Sequence, residues 1–186
     1  MSLSQNQDAI DLLIADHQRV AKLFKEFDKL KNGGAEEELA LVVESACAEL
    51  KLHSLLELEI FYPAVRSRAD GALLEQLQEA DVEHDTVEGL IDKITALEPE
   101  DPMYKAHFSV LAEYVEHHVK EEEKQMFPLV RKLKDLDLGE LGDEMQARKE
   151  DLLDELGEID EEFEEDDAAY ARNGSASEHR RSRTTN

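Results

Sequence analysis

Residues 53–63 read HSLLELEIFYP, an apolar run that carries a histidine and a glutamate four residues apart. Residues four apart lie on the same face of an α-helix, so His53 and Glu57 share the face of apolar residues such as Leu50. An ionised carboxylate on a buried face is costly unless a cation pairs with it. No lysine or arginine occupies a neighbouring position on that face. The stretch therefore predicts a core helix whose two polar side chains point at something positively charged.

The same arrangement recurs later in the chain. Residues 118–128 read HVKEEEKQMFP, which repeats the histidine, the glutamate and the aromatic-proline ending of residues 53–63 at the same spacing. The repeated pair is His118 and Glu122. This weak internal symmetry relates the second and fourth helical segments, the diagonal pair of a four-helix bundle. Diagonal helices that present the same pair of ligands are what a two-metal centre requires.

Two further histidines lie on the apolar stripes of the remaining two segments. His17 fills a gap between Ile14 and Ala21 in the first segment, and His84 fills the corresponding gap in the third. A single histidine on an apolar face is more often an ordinary core residue than a ligand. Four of them, one near the middle of each segment and accompanied by two glutamates, favour a metal site, because bound metal supplies the missing positive charge. The predicted metal ligands are His17, His53, Glu57, His84, His118 and Glu122.

The periodicity of the chain predicts an all-α fold. Glycine, proline and charge clusters separate long helical segments, and no segment alternates with the period of a strand. Four segments of about 25–30 residues joined by short turns predict an antiparallel up-down-up-down four-helix bundle, which we assign to residues 1–134. The four segments are predicted near residues 6–31, 36–68, 72–97 and 103–134.

The chain changes character after the fourth segment. Residues 135–167 are predicted to be an acidic region with an additional C-terminal amphipathic helix at residues 138–166, and residues 168–186 are predicted to be a disordered tail. The apolar seam of this helix is close to heptad spacing, so it packs either on the bundle or on another chain. A protein partner for the acidic helix is therefore a possible interpretation. The seam consists of Leu152, Leu156, Ile159 and Phe163.

Composition limits the classes of function. The formal net charge of −25 argues against binding to nucleic acid or to anionic lipid, because both carry negative charge. No apolar run approaches the roughly 20 residues that span a bilayer, and no signal peptide pattern begins the sequence. The one cysteine, Cys47, excludes an intramolecular disulfide and has the apolar neighbours of a buried residue. We expect a soluble cytoplasmic protein.

Four imidazoles and two carboxylates can be divided between two metal ions. Each ion would take two histidines while both glutamates bridge, which leaves open positions for an oxo, hydroxo or small diatomic ligand. Imidazole with carboxylate suits iron, manganese or zinc, and the lack of thiolate ligands argues against iron–sulfur clusters and closed zinc sites.

The pattern resembles the hemerythrin-like (HHE cation-binding) family. The resemblance rests on the six predicted ligands together with Asp-His at residues 16–17, Glu-His at residues 83–84 and the endings Phe-Tyr-Pro and Met-Phe-Pro, and it covers about residues 8–134. It implies a four-helix bundle with two non-haem iron ions bridged by an oxo or hydroxo group. It also implies binding or sensing of oxygen, nitric oxide or peroxide, or a part in the response to iron or oxidative stress.

The sequence departs from the oxygen-carrying members of that family. Those proteins have a fifth histidine four residues along the third helix, where this chain has Glu88, and Ala80 lies one turn before His84. We expect Glu88 to support a ligand or to lie on the surface, with an extra carboxylate ligand as the alternative. Glu123 is an alternative to Glu122, and Tyr114 lies one turn from His118, where it could donate a hydrogen bond.

Several functions remain open from the sequence. The leading hypothesis is a di-iron protein that binds or senses a small molecule, and the second is a catalase-like enzyme that decomposes peroxide at the same site. A helical interaction module with a structural metal and a metal-free bundle are the other interpretations. The register of His117 and Glu121 is rejected for the core ligands because their face also carries Lys120 and Lys124 and is therefore solvated.

Overall fold

The structure is a computed structural model that describes residues 7–155. Within that range every regular element is helical and no β-strand is present, which confirms the predicted all-α class. Short turns separate the long helices at the glycine and proline clusters of the sequence. The helices and helical turns are α1 (Ala9–Leu30), α2 (Glu36–Leu56), the π-turn Glu57–Phe61, α3 (Tyr62–Arg66), α4 (Gly71–Thr95), α5 (Pro102–Glu121), the π-turn Glu122–Met126 and α6 (Phe127–Val130).

Local sequence explains where two of the long helices, α1 and α5, start. Asp8 caps α1 by accepting a hydrogen bond from the backbone N–H of Asp11 at 2.9 Å, and Asp101 caps α5 through Met103 at 2.7 Å. Both side chains satisfy a backbone donor that the first helical turn leaves without a partner. Pro102 occupies the first position of α5, where its missing N–H costs nothing.

Packing joins the long helices into one apolar core. Contacts connect α1 with α2, α2 with α4, α4 with α5, and α5 back to α1. A large cluster of buried side chains occupies the part of the core formed by the second half of α1, most of α2 before His53, the second half of α4 and the first part of α5. The cluster consists of Val20, Phe24, Phe27, Leu39, Val43, Ala46, Cys47, Leu50, Val87, Ile91, Ile94, Tyr104, Phe108, Leu111 and Val115.

A second set of buried residues lies beyond the predicted ligands along the same helices. It includes Leu13 on α1, Phe61 in the first π-turn, Leu77 on α4 and Met126 in the second π-turn. The predicted ligands are thus flanked by apolar residues on both sides in every long helix. Water is excluded from both directions, which strengthens electrostatic interactions between the buried polar groups.

Each His-x3-Glu pair is followed by a π-helical turn. The backbone N–H of Tyr62 donates to the carbonyl of Glu57, and that of Phe127 donates to the carbonyl of Glu122, both across five residues. Pro63 and Pro128 come one residue after Tyr62 and Phe127, whereas the departure from α-helical hydrogen bonding begins earlier, at the glutamates themselves. Single π-turns inside helices are found mostly at functional sites.

The described residues fall into two units, residues 7–146 and residues 147–155. In the first unit residues 138–146 are helical and pack closely on the start of α1, where a Cβ on Gly142 would lie 2.7 Å from the carbonyl oxygen of Gln7. In the second unit residues 147–155 are helical and Leu152 is buried. The rest of the predicted seam, the end of the predicted helix and the predicted tail lie outside the described residues.

Candidate metal centre

The structure brings all six predicted ligands together in the core of the first unit. Each long helix contributes one histidine, and the two glutamates begin the two π-turns. None of the six is more than 6% exposed, although imidazole and carboxylate are among the groups that normally face water. The predicted ligands are His17 from α1, His53 and Glu57 from the second segment, His84 from α4, and His118 and Glu122 from the fourth segment.

Each glutamate lies between two histidines. Oε2 of Glu57 is 3.1 Å from Nε2 of His53 and 3.2 Å from Nε2 of His84. Oε2 of Glu122 is 3.2 Å from Nε2 of His17 and 3.5 Å from Nε2 of His118. The four imidazoles therefore direct the same ring nitrogen, Nε2, toward the two carboxylates.

The histidines form two pairs. The rings of His17 and His53 have centroids 4.9 Å apart, and those of His84 and His118 are also 4.9 Å apart. Each glutamate contacts one histidine of each pair, which is the arrangement expected of two bridging carboxylates. Potential ligand atoms lie within 4.8 Å of one another in two overlapping groups that share Glu57. The groups are His17, His53, Glu57 and Glu122, and Glu57, His84 and His118.

Hydrogen bonding tests whether these residues fit a metal. Buried polar atoms in proteins nearly always have a hydrogen-bond partner. Here Nε2 of His17, His53 and His118, both oxygens of Glu57 and Oε2 of Glu122 are buried without one among the described residues. Unsatisfied nitrogen and oxygen atoms concentrated at one place, all directed inward, fit a site whose ligand atoms bond to a metal.

Three of the histidines have their outward nitrogen, Nδ1, beside a carboxylate. Such partners fix the orientation of a ligating imidazole and raise its basicity. In each case the carboxylate comes from a different segment than the histidine, so the contact also connects two helices. The pairs are His17 with Glu123 at 3.0 Å, His118 with Glu83 at 2.7 Å and His53 with Asp16 at 3.8 Å.

The two halves of the centre differ at one aromatic position. Tyr62, after the first π-turn, donates a hydrogen bond from its hydroxyl to Oε1 of Glu122 at 2.8 Å and lies 3.2 Å from Nε2 of His84. The equivalent residue after the second π-turn is Phe127, whose ring stacks on His17 with centroids 6.0 Å apart. Only the first of these rings brings a hydrogen-bond donor to the centre.

The carboxylates of the centre favour positive charge on the imidazoles. Burial opposes protonation of His53 and is the largest single influence, but the charge of Glu57, the hydrogen bonds to Asp16 and Glu57 and the charge of Glu122 together raise the pKa of His53 to about 10. Burial likewise opposes protonation of His118, whereas the charge of Glu122 and the hydrogen bond to Glu83 raise the pKa of His118 to about 9. Protons thus supply in the metal-free protein the positive charge that metal ions would otherwise bring.

The same charges act on the acidic groups. Burial alone would raise the pKa of Glu57, but the charges and hydrogen bonds of His53 and His84 hold it well below its usual range. Burial, followed by the negative charges of Glu122 and Glu57, raises the pKa of Tyr62 well above its usual value. The glutamate is therefore an anion and the phenol a neutral donor near neutral pH.

A small cavity adjoins all four histidines. Its volume is about 20 Å³, which accommodates one water-sized molecule. The rest of its lining is mainly apolar and includes Val20, Leu50, Val87, Val115 and Val119. A small, weakly polar molecule is the type of ligand that fits this space.

Comparison with known proteins assigns the family. Residues 8–109, more than half of the chain, match the model of the hemerythrin HHE cation-binding domain. The chain belongs to the hemerythrin HHE cation-binding family. This confirms the resemblance seen in the sequence, and membership of the family together with the clustered ligands supports metal binding.

Two individual proteins are similar to this HHE chain. The crystal structure of a hemerythrin HHE cation-binding domain-containing protein, the Rv2633c homologue from Mycobacterium kansasii, superposes with a TM-score of 0.64 at 25% identity and covers 77% of this chain and 86% of that one. A DNA nickase from Nostoc sp. is 27% identical over 154 residues, which are 82% of this chain. The chain spans 42% of the length of that relative.

The other predicted site residues of the HHE domain have different positions. Glu123, the predicted alternative to Glu122, has its Oε1 3.0 Å from Nδ1 of His17. Glu88 is exposed on α4, and Tyr114 is half-buried against the large apolar cluster. Tyr62, which the sequence pattern singled out only as part of the Phe-Tyr-Pro ending, is the tyrosine that donates to a predicted ligand.

Sequence reasoning also missed the role of two carboxylates. The sequence pattern singled out Asp16 and Glu83 only as the residues before His17 and His84, whereas both are buried beside histidines of neighbouring helices. A signal was present, because each carboxylate directly precedes an inward-facing histidine. In a helix the residue before the histidine points about 100° away from it, which here is toward the adjacent helix.

Proposed function

We propose that this HHE protein binds two metal ions, and that both are iron, through His17, His53, Glu57, His84, His118 and Glu122. The observation that carries the proposal is the position of Oε2 in Glu57 and in Glu122. Each of these oxygens lies between one histidine of the His17–His53 pair and one of the His84–His118 pair. Four imidazoles with two carboxylates suit iron, manganese and zinc, and the family resemblance favours iron. An antiparallel up-down-up-down bundle at residues 1–134 would place one histidine of the centre on each helix.

We further propose that the centre binds or senses oxygen, nitric oxide or peroxide. A cavity of about 20 Å³ beside the histidines, lined elsewhere mainly by valine and leucine, supports a ligand no larger than about two non-hydrogen atoms. Larger substrates do not fit this space. The open coordination positions left by six protein ligands on two metals would face such a molecule.

The chain's own residues would hold the centre in a fixed geometry. Glu83 and Glu123 orient His118 and His17 by accepting hydrogen bonds from Nδ1, which leaves Nε2 free to bind. Tyr62 fixes Glu122 through its hydroxyl. The iron ions, when bound, would supply Lewis acidity and one-electron redox chemistry, while the apolar residues on both sides of the centre exclude water.

Decomposition of peroxide is the second proposed function. The hydroxyl of Tyr62 is a neutral hydrogen-bond donor between His84 and Glu122, at the edge of the centre. A reaction that moves protons to a small oxidant needs such a group, whereas simple binding does not. The position of the fifth histidine of oxygen carriers is occupied by exposed Glu88, which favours reactions other than reversible oxygen carriage.

The nickase activity of the Nostoc relative is not part of the proposal. A chain with a net charge of −25 repels the phosphate backbone of DNA.

Among the described residues no helix has the length and apolar character needed to cross a bilayer.

The variant E57Q/E122Q tests the proposal. Removing both bridging charges should abolish binding of two iron ions per chain while the helical content is kept. The matched control is E88Q/E116Q, which removes the same charge from exposed positions and should bind two iron ions. Addition of peroxide then separates the two functions, because oxygen evolution favours the enzyme and a stable change in the optical spectrum favours the sensor.

A further inference from the structure

A third group of potential metal ligands lies outside the proposed centre. It consists of Glu83 on α4 with His117 and Glu121 on α5, and their ligand atoms are within 4.8 Å of one another. Nε2 of His117 is 3.6 Å from Oε1 of Glu121. A histidine and a glutamate one turn apart are common on helix surfaces. Here Glu83 adds a third potential ligand from a second helix, α4. We name these three residues the outer cluster.

The outer cluster is accessible from solvent on one side only. The side chain of His117 is 61% exposed and that of Glu121 is 31% exposed, whereas Glu83 is 8% exposed. A cation bound by all three would therefore lose part of its water shell and keep the rest.

A polar pocket connects the outer cluster with the proposed centre. Glu83 and Glu121 lie on its lining together with Gln76, Glu79 and Gln125, and the same pocket is lined by Glu122 and His118 of the centre. Its volume is about 30 Å³, enough for a small ion or one to two waters.

The deep end of that pocket is formed by two polar residues of the proposed centre. Glu122 is 1% exposed and its Oε2 has no hydrogen-bond partner among the described residues. Nε2 of His118, also without a hydrogen-bond partner there, lies 3.5 Å from that oxygen. Ligand atoms thus occur at both ends of one pocket.

We propose that Glu83, His117 and Glu121 capture a divalent first-row transition-metal ion and pass it through this pocket to the centre. This inference rests on the proposed function. One imidazole and two carboxylates suit Fe²⁺, Mn²⁺, Co²⁺ and Zn²⁺. In the transfer the ion would exchange one carboxylate and one imidazole for another such pair. It would leave Glu121 and His117 and be bound by Glu122 and His118. Any proton on Nε2 of His118 would pass to water.

The negative charge around the pocket favours the approach of a cation. Glu79, Glu83 and Glu121 contribute three carboxylates to one small surface, and carboxylates of one sign concentrate counter-ions there and raise association rates by a factor of about 10–1000. The two glutamine side chains of the lining offer carbonyl oxygens without adding charge. The pocket would therefore attract a cation toward the outer cluster and the centre.

The test measures loading of the full-length, metal-free protein with Co²⁺, whose visible absorption reports binding. The variant H117A/E121Q should load the centre about tenfold more slowly than the wild type or slower, and should finally fill the centre with two ions, as the wild type does. The control E116Q removes one charge from an exposed neighbour of His117 and should load at the wild-type rate. Circular dichroism should show equal helical content in all three proteins.

A second measurement counts ions when the centre is already filled. Wild-type protein with two bound ions should take up one further Co²⁺ per chain, weakly, and H117A/E121Q should not. Equal loading rates and equal ion counts in wild type and variant would overturn the inference while leaving the proposed function intact. If the wild-type protein binds no ion at all, the proposed function itself fails and the inference fails with it.

Discussion

Nδ1 of His118 donates a hydrogen bond of 2.7 Å to Oε2 of Glu83, a buried residue of the neighbouring long helix. The bond fixes the proton on Nδ1 and turns Nε2 toward Glu122. It also holds the pKa of Glu83 below its usual value, because the anion is the better acceptor. One contact thereby sets the orientation of a proposed ligand and connects α4 to α5.

Glu83→Gln should weaken metal binding. Glutamine keeps the shape but removes the charge that makes His118 basic, and loss of such a partner typically lowers metal affinity by about 10–100-fold. Competition with a chelator of known affinity measures the change. Glu79→Gln, one turn earlier on α4 and exposed, is the control and should leave the affinity within about twofold of wild type. An unchanged affinity in Glu83→Gln would show that this hydrogen bond does not orient a ligand.

Tyr62→Phe should destabilise the metal-free protein by about 1.5–3 kcal/mol, because the hydrogen bond that it removes ends on a buried charge. The substitution retains the ring and therefore the packing. Urea unfolding followed by circular dichroism gives the free energy of unfolding. Tyr104→Phe, in the large apolar cluster, serves as comparison and should cost less. Equal losses in the two variants would contradict the assigned role of the Tyr62 hydroxyl.

Stability of the metal-free protein should fall in alkaline solution. The pKa values of His53 and His118 are raised from 6.5 to about 10 and about 9. Their contribution to stability is therefore fully present below about pH 6.5, and it is lost as pH rises through about 9 and then about 10. Melting temperatures of chelator-treated protein between pH 6 and 10.5 record the loss.

Metal-loaded protein is the reference for that titration. Metal ions hold the imidazoles neutral in the folded state, so the loss caused by deprotonation of His53 and His118 should disappear. Binding should also release protons, which calorimetry in buffers of different ionisation enthalpy detects. A metal-free protein whose melting temperature is constant up to pH 10 would contradict the raised pKa values.

Gly142→Ala should destabilise the first unit. Its Cβ would lie 2.7 Å from the carbonyl oxygen of Gln7 and 2.9 Å from the backbone nitrogen of Ala9, both of which are backbone atoms. Overpacking of this kind costs about 1–3 kcal/mol. Gly89→Ala, on α4 with open space around the new methyl group, should instead stabilise by about 0.5–1 kcal/mol. Equal effects in urea unfolding would contradict the close approach at Gly142.

Periodicity predicted the helical class and brought attention to all six clustered residues, because burial on a helix follows from spacing alone. His17, for example, interrupts an apolar stripe, and that interruption is visible without a structure. The partners of the histidines depend on which helices are adjacent and how they are rotated. Asp16 lies beside His53 of the adjacent helix rather than orienting His17, its neighbour in sequence. Spacing within one helix does not predict such a contact.

The π-turns were also invisible to periodicity. They shift the hydrogen bonding of the backbone from four to five residues between Glu57 and Tyr62 and between Glu122 and Phe127. Proline at residues 63 and 128 indicated a distortion but not its location. The displaced turn changes the direction of the side chains around it, and for Tyr62 that direction decides whether its hydroxyl reaches Glu122.

Metal analysis of the full-length protein, purified in air and supplied with iron, tests the central claim most directly. The account predicts two iron ions per chain and near-ultraviolet absorption of a bridged iron pair, both lost in E57Q/E122Q and kept in E88Q/E116Q. A fully helical protein that binds no iron, or that binds it equally well without Glu57 and Glu122, would contradict the account.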